Sequence, residues 1–106
     1  MSPPGGPPAP AAPAEEALYL VIETFRGGDP LPVYRRFRDR GRLAPEGLRY
    51  VESWVSTDLR RCYQVMACAD RRLLERWVAE WEDLVDFEIV SVVTSAQAAA
   101  ALAPKL

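Results

Sequence analysis

The chain has 106 residues, a formal net charge of −2 and no histidine. That length fits one domain, and so weak a charge gives no global field toward nucleic acid or a membrane surface. Without histidine the chain lacks the usual haem ligand, the commonest zinc ligand and the commonest general base.

The first fourteen residues, MSPPGGPPAPAAPA, hold six of the ten prolines. Proline and glycine favour extended, solvated backbone, so residues 1–16 read as a disordered Pro/Ala-rich tail and 17–106 as a single α+β domain. A body of about ninety residues buries only ~60–65% of its unfolded surface, so a second subunit would enlarge its core. The N-terminus has no basic start and no apolar stretch of signal-peptide type. No run approaches the ~20 apolar residues that span a bilayer. A cytoplasmic location with no membrane and no nucleic-acid partner is expected. The Arg-, Ala- and Pro-rich usage, with one Lys and no Asn, points to a GC-rich bacterial genome.

Residues 18–25, LYLVIETF, alternate as a strand, with Leu18, Leu20 and Ile22 on one face and Tyr19, Val21, Glu23 and Phe25 on the other. Gly27-Gly28 ends it. Asp29 then caps a helix that begins at Pro30 and carries Val33, Tyr34 and Phe37 as its apolar stripe. Gly41 stops that helix, and Ala44-Pro45-Glu46-Gly47 fits a type I turn. Residues 48–55 and 61–68 form a β-hairpin joined through Ser56-Thr57-Asp58. Asp70 caps a second helix on which Leu73, Leu74, Trp77, Val78 and Trp81 line one side. Each buried tryptophan hides ~150–250 Å², so Trp77 and Trp81 read as core anchors. Residues 86–93 form the last strand. Thr94 and Gln97 make a capping box for a short Ala-rich helix through Leu102, a tail that can dock on a partner subunit.

The order strand, helix, strand, strand, helix, strand is the split βαβ pattern. It makes a ferredoxin-like, four-stranded antiparallel sheet with both helices on one face. The opposite face is left bare, which predicts a homodimer closing two bare faces around a shared lumen. Cys62 and Cys68 lie six apart on one strand, ~20 Å at ~3.3 Å per residue. A disulfide needs Cα atoms within ~7 Å, so both read as reduced thiols.

The stretches VIETF (21–25), YRRFRDRGR (34–42), PEGLRYVESWV (45–55), RCYQVM (61–66), LLERWVAEWEDLVDFEIV (73–90) and TSA (94–96) resemble a small bacterial family known as domain of unknown function 3303. The resemblance covers about three-quarters of the chain. It implies the dimeric α+β-barrel superfamily and carries no established activity. That superfamily includes cofactor-free monooxygenases and isomerases of aromatic or polyketide-like molecules, and haem enzymes. The absence of histidine argues against the haem branch. Two positions depart from the family pattern. Ala67-Cys68 stands where relatives usually have an acid after the strand methionine, and Ser91 stands where they favour proline.

No reaction motif is present: no GxGxxG, no P-loop, no CxxC and no Ser-His or Cys-His pair. Glu23 is the first catalytic candidate. If Leu20 and Ile22 cover the helices, Glu23 points into the lumen, where a desolvated carboxyl would act as a general base. It can equally be paired with an arginine. Glu88 is a second carboxylate, nearer a strand end and more easily exposed. Tyr50 and Trp54 share a face with Glu52 and offer an aromatic wall for a flat ligand, or ordinary interface packing. Gln64, on a buried strand, needs partners from a ligand or an interface. Arg42 can hold a ligand carboxylate by a bidentate contact or bridge to Asp83 or Asp86.

Residues 35–42 carry five Arg and one Asp, while 75–88 carry six acids and Arg76. The two stretches read as solvated surfaces or as patches that meet each other or an anionic ligand. The expectation is a small-molecule-binding homodimer, catalysing, if anything, cofactor-independent proton transfer, cyclisation or oxygenation on an apolar or aromatic metabolite. The alternative is a non-catalytic structural or interaction dimer with a filled barrel.

Overall fold

The structure is a computed structural model that describes residues 16–106. The expected Pro-rich tail falls, except for Glu16, on residues outside those described. Glu16 ion-pairs with Arg49 at 2.7 Å.

Four strands form one antiparallel sheet: β1 (Ala17–Phe25), β2 (Arg49–Val55), β3 (Arg61–Cys68) and β4 (Val85–Val92), in the spatial order β2-β3-β1-β4. Two helices cross over, α1 (Leu31–Arg40) between β1 and β2, and α2 (Arg71–Ala79) between β3 and β4. A third, α3 (Ser95–Leu102), follows β4. This is the α+β ferredoxin-like arrangement expected from the order of elements.

The local signals act mostly where they were read. Asp70 caps α2 by accepting the Arg72 N–H. Thr94 and Gln97 form the reciprocal capping box of α3. At α1 the N-cap is Pro30 rather than Asp29, yet the Asp29 carboxylate still accepts the Leu31 N–H at 3.0 Å. The turn before β2 is shifted by one residue. Leu48 N–H donates to the Pro45 carbonyl at 3.1 Å, so Gly47 takes the third position at φ +93°, a conformation that favours glycine. A Cβ there would also lie 2.9 Å from Leu73 Cδ1.

The core lies between the sheet and the helices. Tyr19 and Val21 of β1 and Met66 and Cys68 of β3 pack with Leu74, Trp77 and Trp81. The helix-covered face of β1 is therefore the one bearing Tyr19, Val21, Glu23 and Phe25, so the condition under which Glu23 would face a lumen, Leu20 and Ile22 meeting the helices, is not met. Both faces of β1 are apolar over most of their length, so alternation defines two faces without saying which is covered.

A second correction comes from β2. The pairing with β3 shifts register between Tyr50 and Glu52, leaving Val51 as a bulge. A bulge inserts one residue and inverts the alternation beyond it. Tyr50 sits opposite Met66 on the helix side, while Trp54 sits opposite Tyr63 on the bare side. The two aromatics do not form one wall.

Trp81 lies past the end of α2 but is only 5% exposed. Replacing Trp81 with Ala should cost ~3–5 kcal/mol by cavity creation. A urea-melt difference below ~1 kcal/mol would show that Trp81 is not a core anchor.

Candidate functional site

A cavity of about 150 Å³ lies between the sheet and the helices. β1 places Glu23 and Phe25 on its floor, and β3 adds Cys62 and Gln64 beside them. Val33, Tyr34 and Phe37 of α1 and the indoles of Trp77 and Trp81 cover it. No residue of α1 is fully buried, so that helix roofs the cavity without filling it.

Three polar side chains run through this apolar setting as a chain. Arg42 Nη1 donates to Gln64 Oε1, and Gln64 Nε2 donates to Glu23 Oε2. Glu23 and Gln64 are 6% and 4% exposed. The side-chain amide thus relays between a buried carboxyl and a guanidinium at the rim. Arg42 is stacked on Tyr50, 3.9 Å from the ring centroid, with Phe37 at 5.3 Å on α1. Its backbone is held from α2: Trp77 Nε1–H and Trp81 Nε1–H both donate to the Arg42 carbonyl, at 3.0 and 2.9 Å.

Of the two readings of Arg42, the ion pair with Asp83 or Asp86 does not form. Asp83 makes a two-pronged contact with Arg36 at 2.8 and 2.7 Å, joining the basic stretch to the acidic one. Asp86 pairs with Arg26 at 3.3 Å. Among the described residues, Arg42 has no ion-pair partner.

Burial pushes the Glu23 carboxyl up from its ordinary 4.5 to about 7, against the hydrogen bond from Gln64 and the charge of Arg42, which pull it down. The neighbouring Cys62 thiol is pushed up to about 12 by burial and by Glu23. It is therefore a neutral thiol and a poor nucleophile at physiological pH. Burial, Cys62 and Glu23 also raise the Tyr34 phenol above its usual range. Of these three groups, Glu23 is the one poised to gain or lose a proton near neutrality, which suits a general acid or base.

Of the six residues singled out from sequence, four converge. Glu23, Gln64 and Arg42 meet in the cavity, and Tyr50 supports Arg42 from the outside while its hydroxyl pairs with Ser53 Oγ at 2.7 Å. Trp54 and Glu88 do not join them. Trp54 is 58% exposed, and Glu88 is exposed opposite Ile22; both lie on the bare face. Glu23 is on the helix side of the sheet, not on the side facing a lumen. Cys62, Tyr34, Phe37 and the cavity-lining role of both tryptophans were missed. The indole N–H groups held the available signal, because a buried Trp donor requires an acceptor.

A wider surface depression of about 480 Å³ lies around Arg26, Arg60 and Asp58, and all three residues are exposed. Among the described residues, no group of three or more Cys, Asp or Glu side chains is placed to hold a metal ion. No helix among them is long and apolar enough to cross a membrane.

The sequence profile of a family described as Domain of unknown function (DUF3303) matches residues 17–106. The chain belongs to that family. No curated protein and no solved structure matches it.

The Glu23 proton makes the stability of this family member depend on pH. A carboxyl whose folded value is raised binds its proton more tightly when folded. Its stabilising effect is complete below pH 4.5 and is lost as the pH climbs through about 7. The loss amounts to roughly 3 kcal/mol. The Glu23→Gln variant lacks this loss, so it should gain on the wild type in urea melts between about pH 5 and about pH 8. Parallel stability curves would mean that Glu23 is ionised throughout.

Proposed function

We propose that this DUF3303 domain binds a small, largely apolar or aromatic molecule under its helices, and that Glu23 moves a proton to or from it. The observation that carries this reading is a carboxyl 6% exposed, held by a neutral amide and facing a cavity of about 150 Å³. A cavity of ~150 Å³ holds a molecule the size of benzene, so the ligand is about one ring in size. Isomerisation, cyclisation and cofactor-independent oxygenation can each begin by removing an acidic proton from carbon or oxygen. A positioned carboxyl contributes ~10²- to 10⁴-fold to such a step. Gln64 fixes the carboxyl, and Phe25, Tyr34, Phe37 and the two indoles wall the space beside it.

The assembly proposed with this site is a homodimer of the dimeric α+β-barrel kind, in the cytoplasm, where Cys62 and Cys68 stay reduced. Both are free thiols in the structure. The bare sheet face carries Leu18, Leu20, Ile22, Val65, Val90 and Trp54, with Val90 and Trp54 39% and 58% exposed. Glu52 and Glu88 share that face; apolar side chains grouped within a polar rim mark contact surfaces. The ligand cavity lies on the other side of the sheet, so dimerisation would support the domain rather than enclose the ligand.

Two measurements test the reading. Cyclohexanone in deuterated water should exchange its α-protons faster with the wild type than with Glu23→Gln; equal rates would remove Glu23 as the base. The wild type should scatter light as a dimer at micromolar concentration and Trp54→Glu as a monomer. A monomeric wild type would end the dimer proposal and leave the cavity untouched.

A further inference from the structure

Resting on the binding reading above, we propose that the ligand is a single-ring carboxylate whose anionic head is held by Arg42 and whose ring lies against Trp77 and Trp81. Among the described residues, Arg42 is the one cation lining the cavity. The Gln64 contact uses one of its five guanidinium N–H donors, and among the described residues no carboxylate forms a direct ion pair with it. Tyr50 at 3.9 Å and Phe37 at 5.3 Å fix the plane of the guanidinium. A planar, pre-oriented fork with free donors matches a carboxylate in two-pronged fashion.

The charges around the cavity favour an anion over a cation. The groups facing Glu23 are Cys62 and Gln64 from β3, Tyr34 from α1 and Arg42 from the loop after it. Trp77 from α2 and Phe87 from β4 face it without charge. The thiol and the phenol are neutral, so the site is positive whenever Glu23 holds its proton. One amide separates the guanidinium from the Glu23 carboxyl. A ligand carboxylate on Arg42 therefore places Glu23 beside atoms only a few bonds from that head, the acidic positions of an oxo acid or of a ring bearing a carboxylate.

Binding an anion next to Glu23 also favours the protonated carboxyl, so uptake of ligand and proton are linked. Affinity for a permanently ionised carboxylate must then fall as the pH rises through the range in which Glu23 titrates.

Three probes of one size and different charge separate the possibilities: benzoate, benzyl alcohol and benzylamine, titrated against the tryptophan fluorescence of the full chain. Benzoate should bind at least about tenfold more tightly than either of the others. Arg42→Met should remove that preference and Arg42→Lys should keep part of it. Because the tryptophans hold the Arg42 backbone carbonyl and not its side chain, both variants should fold, which circular dichroism checks. The benzoate Kd should weaken about tenfold between about pH 6 and about pH 8 in the wild type and stay flat in Glu23→Gln. Tighter binding of benzylamine or benzyl alcohol, measurable on the wild type alone, overturns the carboxylate assignment and leaves the cavity as a binding site. Equal benzoate affinity in the wild type and Arg42→Met overturns it too. Saturable binding of none of the three defeats the binding reading itself, and this proposal with it.

Discussion

One backbone carbonyl ties the two helical segments of this domain together. The Arg42 carbonyl accepts both indole N–H groups, from Trp77 within α2 and from Trp81 just after it. A buried polar donor left without a partner costs about 1–3 kcal/mol, so the two large anchors of the core can bury only if the loop after α1 delivers an acceptor. That loop is bent to do so. Gly41 lies at φ +73° and Leu43 at φ +64°, and the left-handed region costs a residue such as Leu roughly 1–2 kcal/mol. The strain is held by the indole bonds, and its product is a guanidinium fixed at the rim of the cavity. Core packing and site geometry are thus one constraint: what seats the tryptophans also aims Arg42.

The floor of the cavity shows the opposite relation between stability and function. A residue facing Trp77 from the middle of the sheet would stabilise the domain most as Leu or Met. Glu23 is there instead, with a neutral amide for company. With its carboxyl value pushed to about 7, it makes the ionised protein less stable by an amount that matters against a total of about 5–15 kcal/mol. A polar group that weakens the fold and lies beside an unfilled space is the pattern expected of a working site, where local rules of stability are broken for chemistry.

The architecture was legible because its signals are local and redundant. Asp70, the Thr94–Gln97 box and the Leu73-to-Trp81 stripe each mark an element without reference to the rest of the chain, and their order leaves one common topology. The site was legible only in its parts. Glu23, Gln64 and Arg42 were all singled out, but β1 is apolar on both faces, and nothing local says whether Glu23 looks toward helices or away. Side selection belongs to the whole sheet, through Met66 and Cys68 on the neighbouring strand and the indoles above them. The bulge at Val51 is a harder case. Residues 50–55, YVESWV, run in apolar, polar and apolar doublets that fit either face, with no glycine or proline to mark the extra residue, and the register shift shows only in the pairing with β3. That single residue parts Tyr50 from Trp54. It sends one to brace Arg42 and the other to the bare face.

The same bulge separates the two proposed activities of the sheet in space. On the far side from the cavity, Trp54 and Val90 are exposed, and α3 continues from β4 with every residue but one solvent-exposed. An isolated helix shorter than about 12–15 residues is marginal in water even when well capped. At eight residues, α3 needs support that the rest of its own chain scarcely supplies. A second copy set against the bare face would supply it without reaching Arg42, Gln64 or Glu23, because the full thickness of the sheet intervenes. The proposed assembly would then act on the cavity through β1, β2 and β3, whose alternate residues lie on the bare face and on the cavity face. Ile22 and Tyr63 are cross-strand neighbours on the bare face, directly beside the Glu23–Cys62 pair beneath.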